Sequence, residues 1–358
     1  MLLEDGDTLR DSYVVERFIG EGAFAEVYRV RHRFLGRQAM KVIRAERTSQ
    51  AEAEEMLSEA ALLSRIGHPN IIRVYDAGLL ETRLGQRAYF TMEYVPGGNL
   101  DGFWRSHGRE FVPVADTVEI TKQICRGLEV AHSQEPPVIH RDIKPQNILV
   151  GYDVTGIRVR IGDFGLAKRV DPLSLVASAR GTIGFKPPEF LSGMDSTTSD
   201  MWAVGCVLYV LLADRMPFPE MGSELDPGRL RLAPPSKFNL RVDELLDEIA
   251  SRSLAIDPAD RYRHAGEMLR DLGKWNAGDA AKSLKSQSSR GLAKSTAPQS
   301  GGEQPDTGRM VEEAMRLSLQ ADRLMEAADI LEQALNLKPQ LRGKYEYQVR
   351  LWRRGVLM

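Results

Sequence analysis

Gly20-Glu21-Gly22-Ala23-Phe24-Ala25-Glu26-Val27 lies between two runs of alternating apolar residues. Glycines at such a turn let backbone N–H groups approach phosphate oxygens where a side chain would obstruct them. Taken alone the pair is more simply an ordinary hairpin turn. It also opens a strand and not a helix, which argues against a dinucleotide-binding turn or a Walker loop. Lys41, in Ala39-Met40-Lys41, is the next cation able to meet a phosphate, and a lysine in that role needs a carboxylate to hold it. Glu59, 18 residues further on, offers one from a helical stretch, with Glu55 one turn earlier as its rival. Each of Glu52, Glu54, Glu55 and Glu59 could equally be a solvated surface acid. Leu63, one turn beyond Glu59, continues that face towards a core and favours Glu59. Polar groups of a different kind gather in Ile139-His140-Arg141-Asp142-Ile143-Lys144-Pro145-Gln146-Asn147-Ile148-Leu149 and again in Ile161-Gly162-Asp163-Phe164-Gly165.

The elements that must position these residues change character along the chain. Residues 13–41 alternate with a period of two and are broken by Gly20, Gly22 and Gly36, which predicts strands and turns. Residues 49–66 carry Ala, Glu, Met and Leu at helical spacing until Gly67-His68-Pro69 stops them. Strand-like runs at 71–75 and 88–94 follow, and Pro96-Gly97-Gly98 marks a break. Beyond it helical patterns dominate, at 113–133, 199–213, 243–253 and 265–275. The expected fold class is therefore α+β, a β-rich front and an α-rich body. Residues 277–309 are rich in Ser, Gly, Lys, Ala, Gln and Pro, a composition that predicts a flexible linker. Helical periodicity returns over 310–337 and more weakly over 345–352.

The later motifs, taken in order with the glycine pair and Lys41, resemble the protein kinase family over about residues 13–272. The resemblance implies a two-lobed fold, with a β-rich N-lobe and a helical C-lobe. Transfer of a γ-phosphoryl group leaves the protein little covalent work, so fixed cations, metal ligands and an aligned acceptor are what the chain must supply. By resemblance, Asp142 orients the acceptor hydroxyl and takes its proton, and Lys144 sits beside the transferred phosphate. Asn147 and Asp163 supply hard oxygens to Mg²⁺. Lys41 holds the α- and β-phosphates, fixed by Glu59, beneath a loop containing Gly20 and Gly22. Met92 stands at the gatekeeper position, the backbone of Glu93 and Val95 faces the base, and Ile19, Val27, Ala39 and Leu149 sandwich it. These aliphatic residues also read as plain core. The spacing of Lys144 from Asp142 is similar to the serine/threonine branch. The implied activity is ATP- and Mg²⁺-dependent phosphorylation of protein Ser/Thr hydroxyls, including autophosphorylation at Ser178 or, second, Ser174, with Arg141 as the phosphate's partner. Thr182 is expected to contact Asp142 and Lys144. Arg261 is the expected partner of Glu189, and His140, Phe164, Leu63 and Val74 form an apolar column between the lobes.

The chain departs from the family pattern in three places. Ala25 replaces the third glycine of the phosphate loop, Pro187 precedes Pro188-Glu189, and Phe185-Lys186 replace the commoner tyrosine and aliphatic residue. The last two are expected to bear on peptide preference and not on catalysis. The expected domains are an extension (1–12), the kinase domain (13–276), the linker (277–309) and a helical tail (310–358). In that tail Ala327, Leu331, Ala334 and Pro339 match the second helix of a tetratricopeptide repeat. A lone repeat lacks independent stability, so the tail must pack on the kinase, self-associate or meet a protein partner. A net charge of −2 gives no field for nucleic acid, and the longest apolar run, of 13 residues at 201–213, falls short of the ~20 that a membrane span needs. The acidic start lacks the basic segment of a signal peptide, and two cysteines make no disulfide framework, so a cytoplasmic chain is expected, its compact spacing similar to bacterial kinases. A nucleotide-binding scaffold that recruits partners through its tail is the competing reading.

Overall fold

In the computed structural model, the alternation of the first part of the chain becomes one six-stranded antiparallel sheet. The structure describes residues 1–22, 25–44, 66–108, 110–154, 156–164, 183–192, 195–218, 231–277, 307–317 and 323–338, together with 341, 345, 349 and 352. The strands are β1 (Thr8–Leu9), β2 (Tyr13–Glu21), β3 (Ala25–His32), β4 (Gly36–Ile43), β5 (Val74–Thr82) and β6 (Gly85–Glu93), paired in the order β1-β2-β3-β4-β6-β5. Successive side chains of a strand face opposite ways. On β4 this sends Met40 and Val42 into a core with Tyr28, Val30 and Tyr89, while Ala39 and Lys41 share the opposite face. Lys41 pairs in register with Phe90 and Ala39 with Met92, so the cation and the apolar wall are set side by side by strand pairing.

The strand expected at 71–75 begins only at Val74 and runs on to Thr82. Ile71 and Ile72 are instead buried against the second sheet: the Ile72 amide donates to the Ile161 carbonyl at 2.9 Å, and the Ile161 amide to that of Asn70 at 2.8 Å. An apolar pair that joins two layers carries the same composition as a strand start, and periodicity does not separate the two. The second sheet is a hairpin of β7 (Ile148–Asp153) and β8 (Gly156–Ile161), with Ile148 opposite Ile161. Asn147 precedes its first strand and Asp163 follows its second, so the hairpin register brings both polar residues to one end.

The helical part is built on α1 (Leu100–Arg105), α2 (Val114–His132), α3 (Thr197–Ala213), α4 (Glu244–Ser253) and α5 (Ala265–Lys274). The apolar run at 201–213 forms most of α3, and every residue from Ser199 to Ala213 is buried. A helix apolar on all sides belongs at the centre of a core, and α2 and α4 pack against it. Gly205 permits the closest approach, because a Cβ there would lie 2.5 Å from the Ser253 Cβ. Ser196 caps α3 through a reciprocal bond with Ser199, which starts the helix next to Asp200.

Chain contacts divide the molecule into Met1–Ser286 and Gln287–Met358. The second unit contains α6 (Thr307–Leu317) and α7 (Leu324–Leu337), in the stretch where helical periodicity returns over 310–337. Ala314 and Leu317 of α6 and Ala327, Ala328 and Leu331 of α7 share a core with Val349 and Trp352. Among the described residues no helix is long and apolar enough to cross a membrane.

Candidate active site

The segment from His140 to Asn147 is shaped by a carboxylate that lies far from it in sequence. Asp200, 1% exposed in the first turn of α3, accepts the His140 amide on Oδ2 and the Arg141 amide on Oδ1, each at 2.8 Å. Arg141 has a φ of +67°, a left-handed conformation that a residue with a side chain adopts only at a cost of about 1–3 kcal/mol. Two charge-assisted bonds to one buried acid offset that cost and hold the turn. His140 is fully buried between them. Its Nε2 contacts the Gly162 carbonyl at 2.8 Å and its Nδ1 accepts the Asp142 amide at 3.2 Å, which assigns a neutral ring protonated on Nε2. Burial pushes this imidazole below its usual range. Its ring lies 4.4 Å from that of Phe164, and Val74 belongs to the same apolar cluster.

Asp142 then presents its carboxylate to three donors. Oδ2 meets Lys144 Nζ at 2.7 Å and Asn147 Nδ2 at 2.9 Å. Oδ1 meets Lys186 Nζ at 3.1 Å. Burial by itself would raise the Asp142 carboxyl, but the ammoniums of Lys186 and Lys144 outweigh it and hold it at about 2. The group is therefore an ionised acceptor through the neutral range. Asn147 Nδ2 also donates to the Asp142 backbone carbonyl at 2.8 Å, so the amide's nitrogen is turned to Asp142 and its oxygen is the end free to face a cation.

Lys41 and Asp163 meet across the two sheets, Nζ to Oδ1 at 2.7 Å, with side chains 14% and 33% exposed. Asp163 too is left-handed, with φ +56°, which suits Asp better than most residues. Glu59 and Glu55, the two acids expected to compete for Lys41, lie outside the described residues, as do Leu63, Ser174, Ser178 and Thr182. Met92, Ala39 and Val95 form one buried apolar cluster, with Val27 and Leu149 packed on it. Ile72 and Phe90 belong to the same wall and were not anticipated; the signal for Phe90 is its register position on β6 opposite Lys41, and not residue type. Ile19 is 45% exposed at the rim, and a Cβ at Gly20 or Gly22 would meet nothing within 4 Å. The Glu93 carboxylate turns to Arg160 at 2.7 Å, which leaves only its backbone for the pocket.

Beyond this cluster, Glu189 and Arg261 form the expected ion pair, bidentate at 2.7 and 2.9 Å. Arg141 Nε lies 3.1 Å from the Asp195 carboxylate, a partner that sequence reasoning did not supply. Both thiols, Cys125 and Cys206, are fully buried, and burial raises their pKa, which makes them inert packing groups.

The family model described as "Protein kinase domain" matches residues 13–271. Among curated proteins, the chain is 36% identical over 208 residues to the serine/threonine-protein kinase ATG1a of Arabidopsis thaliana, covering 58% of this chain and 32% of that protein. It is 32% identical over 287 residues to the serine/threonine-protein kinase PknB of Mycobacterium leprae, covering 77% of this chain and 45% of that protein. The chain thus spans less than half the length of these curated relatives. A crystal structure of the Mycobacterium tuberculosis PknI kinase domain is similar with a TM-score of 0.58 and 26% identity, covering 76% of this chain and 99% of that one.

Proposed function

Because the chain belongs to the protein kinase family, we propose that it is an ATP-dependent protein serine/threonine kinase that transfers the γ-phosphoryl group to Ser/Thr hydroxyls of proteins. The observation that carries this reading is the pair of acids held apart in different states. Asp142 is enclosed by Lys144, Lys186 and Asn147, while Asp163 is half-open and set against Lys41. In the reaction the acceptor oxygen attacks the γ-phosphorus, the bond from that phosphorus to the β,γ-bridging oxygen breaks so that ADP leaves, and the acceptor's proton passes to an Asp142 carboxylate oxygen. Lys144 beside that carboxylate balances charge on the transferring group. Lys41 takes the α- and β-phosphates, and the apolar cluster of Ala39, Met92, Val95, Val27 and Leu149 encloses the base, with Ile19, Gly20 and Gly22 above it.

The donor set fits Mg²⁺: one carboxylate on Asp163 and one amide oxygen on Asn147 are hard ligands, and this ion takes few protein ligands when substrate phosphates supply the rest. When bound it would neutralise phosphate oxygens as charge develops there. Glu59 is the proposed carboxylate for Lys41. Ser178, then Ser174, are the proposed sites of autophosphorylation. A phosphate there would have to share Arg141 with Asp195. For the second unit, the buried Ala327, Leu331 and Ala334 support a tetratricopeptide-like helix pair that meets a protein partner or a second copy. A cytoplasmic location, with no nucleic-acid partner and no membrane span, completes the proposal.

Incubation of the purified chain with labelled ATP, Mg²⁺ and a protein acceptor, followed by mapping of the modified residues, tests the reading. Label is expected on Ser or Thr of the acceptor and on Ser178 or Ser174. Lys41→Met, Asp163→Asn and Asp142→Ala should each cost at least ~10²-fold in turnover with the fold retained. Wild-type turnover in any one of these folded variants contradicts the mechanism.

A further inference from the structure

Lys186 stands where an aliphatic residue was expected, and from sequence it bore only on peptide preference. In the structure it is 9% exposed and its ammonium is turned inward. Nζ donates to the Arg141 carbonyl at 2.7 Å and to Asp142 Oδ1 at 3.1 Å, and it lies 5.1 Å from the centre of the Phe190 ring. A carbonyl, a carboxylate and an aromatic face together answer the three hydrogens of one ammonium. None is left for an acidic residue of an incoming peptide.

The segment that carries Lys186 is itself tightly mounted. Cys206 Sγ approaches the Gly184 carbonyl at 3.7 Å, Phe185 is buried in the main core, and Glu189 is clamped by Arg261 at 2.7 Å. Lys186 is thus presented to the catalytic segment from a rigid base. The two oxygens of Asp142 are held from separate pieces of chain: Oδ2 by Lys144 and Asn147, which follow it closely in sequence, and Oδ1 by Lys186, 44 residues away. Without the second hold a carboxylate anchored through one oxygen can swing about its last torsion, a broad rotor with a low barrier.

We propose that Lys186 is a positioning residue for phosphoryl transfer: by bridging the Arg141 carbonyl and Asp142 Oδ1, it fixes the plane of the Asp142 carboxylate and locks it to the segment ending at Glu189. An aliphatic side chain at this position could fill the space but could not make either contact. This deepens the proposed function and rests on its reading of Asp142 as the group that takes the acceptor proton.

The test is steady-state phosphorylation of a protein acceptor by the full chain, comparing the wild type with Lys186→Met, Lys186→Arg, Asp142→Asn and the double variant D142N/K186M. A misplaced reacting group can cost on the order of 10²-fold. K186M is therefore expected to lower kcat about 10- to 100-fold while the KM for ATP stays within about twofold, and K186R to recover most of the loss. In the D142N background, K186M should add nothing further, because the residue acts only through Asp142. Wild-type or raised kcat in K186M, a change confined to the acceptor's KM, or an undiminished extra loss on top of D142N would each overturn the proposal. Wild-type turnover in D142N would instead overturn the reading of Asp142. If K186M fails to fold by circular dichroism, Lys186→Ala takes its place, since it can make neither contact; full activity in K186A with a folded spectrum would also overturn the proposal.

Discussion

Removing the charge of Glu189 should destabilise the fold of this protein. Its partner Arg261 is fully buried, lies over the Trp202 ring at 4.7 Å, and also donates to the Ala255 and Ile256 carbonyls at 2.7 and 3.0 Å. Glu189→Gln therefore strands a guanidinium in the core, a loss worth about 3–5 kcal/mol for a buried pair broken on one side. Urea denaturation should record that loss as a lower midpoint with an unchanged slope; a shift below ~1 kcal/mol would mean that Trp202 and the carbonyls suffice. Glu189 and Arg261 were legible as partners because each sits in a recognisable motif. Asp195 opposite Arg141, and Lys186 on Asp142, were not, since neither motif names its own tertiary neighbour.

Among the elements, α3 does most to position the site, since it carries Asp200 and sets the platform on which Glu189 rests. Its burial on all sides was readable from thirteen consecutive apolar positions. The tightness of its contact with α4 was not. Gly205→Val should cost about 1–3 kcal/mol or more by overpacking against the Ser253 Cβ and the Leu254 side chain, which a Cβ would approach at 2.5 and 3.2 Å. A thermal midpoint unchanged in that variant would show that α4 yields without strain. The β7–β8 hairpin escaped sequence reading for a related reason: Ile148 to Ile161 is short, interrupted by Gly151, and flanked by polar motif residues that drew attention to themselves.

For the whole molecule, the two units have separate cores: the clusters around α3 and beneath the β-sheet lie within residues 1–286, and the cluster of α6 and α7 lies within 287–358. A chain ending at Ser286 is accordingly expected to fold and to keep its phosphoryl transfer. Calorimetry and the labelled-ATP assay check this together. A fall in its midpoint of more than about 4 °C, the shift that roughly 1 kcal/mol produces in a domain of 150–250 residues, or loss of turnover would show that the first unit depends on the second.

Amino-acid order was enough to specify what is gathered within a few residues. Asp142, Lys144 and Asn147 sit so close along the chain that one loop must gather them, and the period of two or of 3.6 in the flanking runs selects strand or helix before any packing occurs. The partnerships that tune those groups are longer-range. Lys41 reaches Asp163 across 122 residues, and Asp200 grips the turn at Arg141 across 59. Such pairs are settled by which strands align and which helix is buried at the centre, and local periodicity carries no information about either. That is why Lys186 read along the chain as bearing only on peptide preference and became, in the folded protein, the second hand on Asp142.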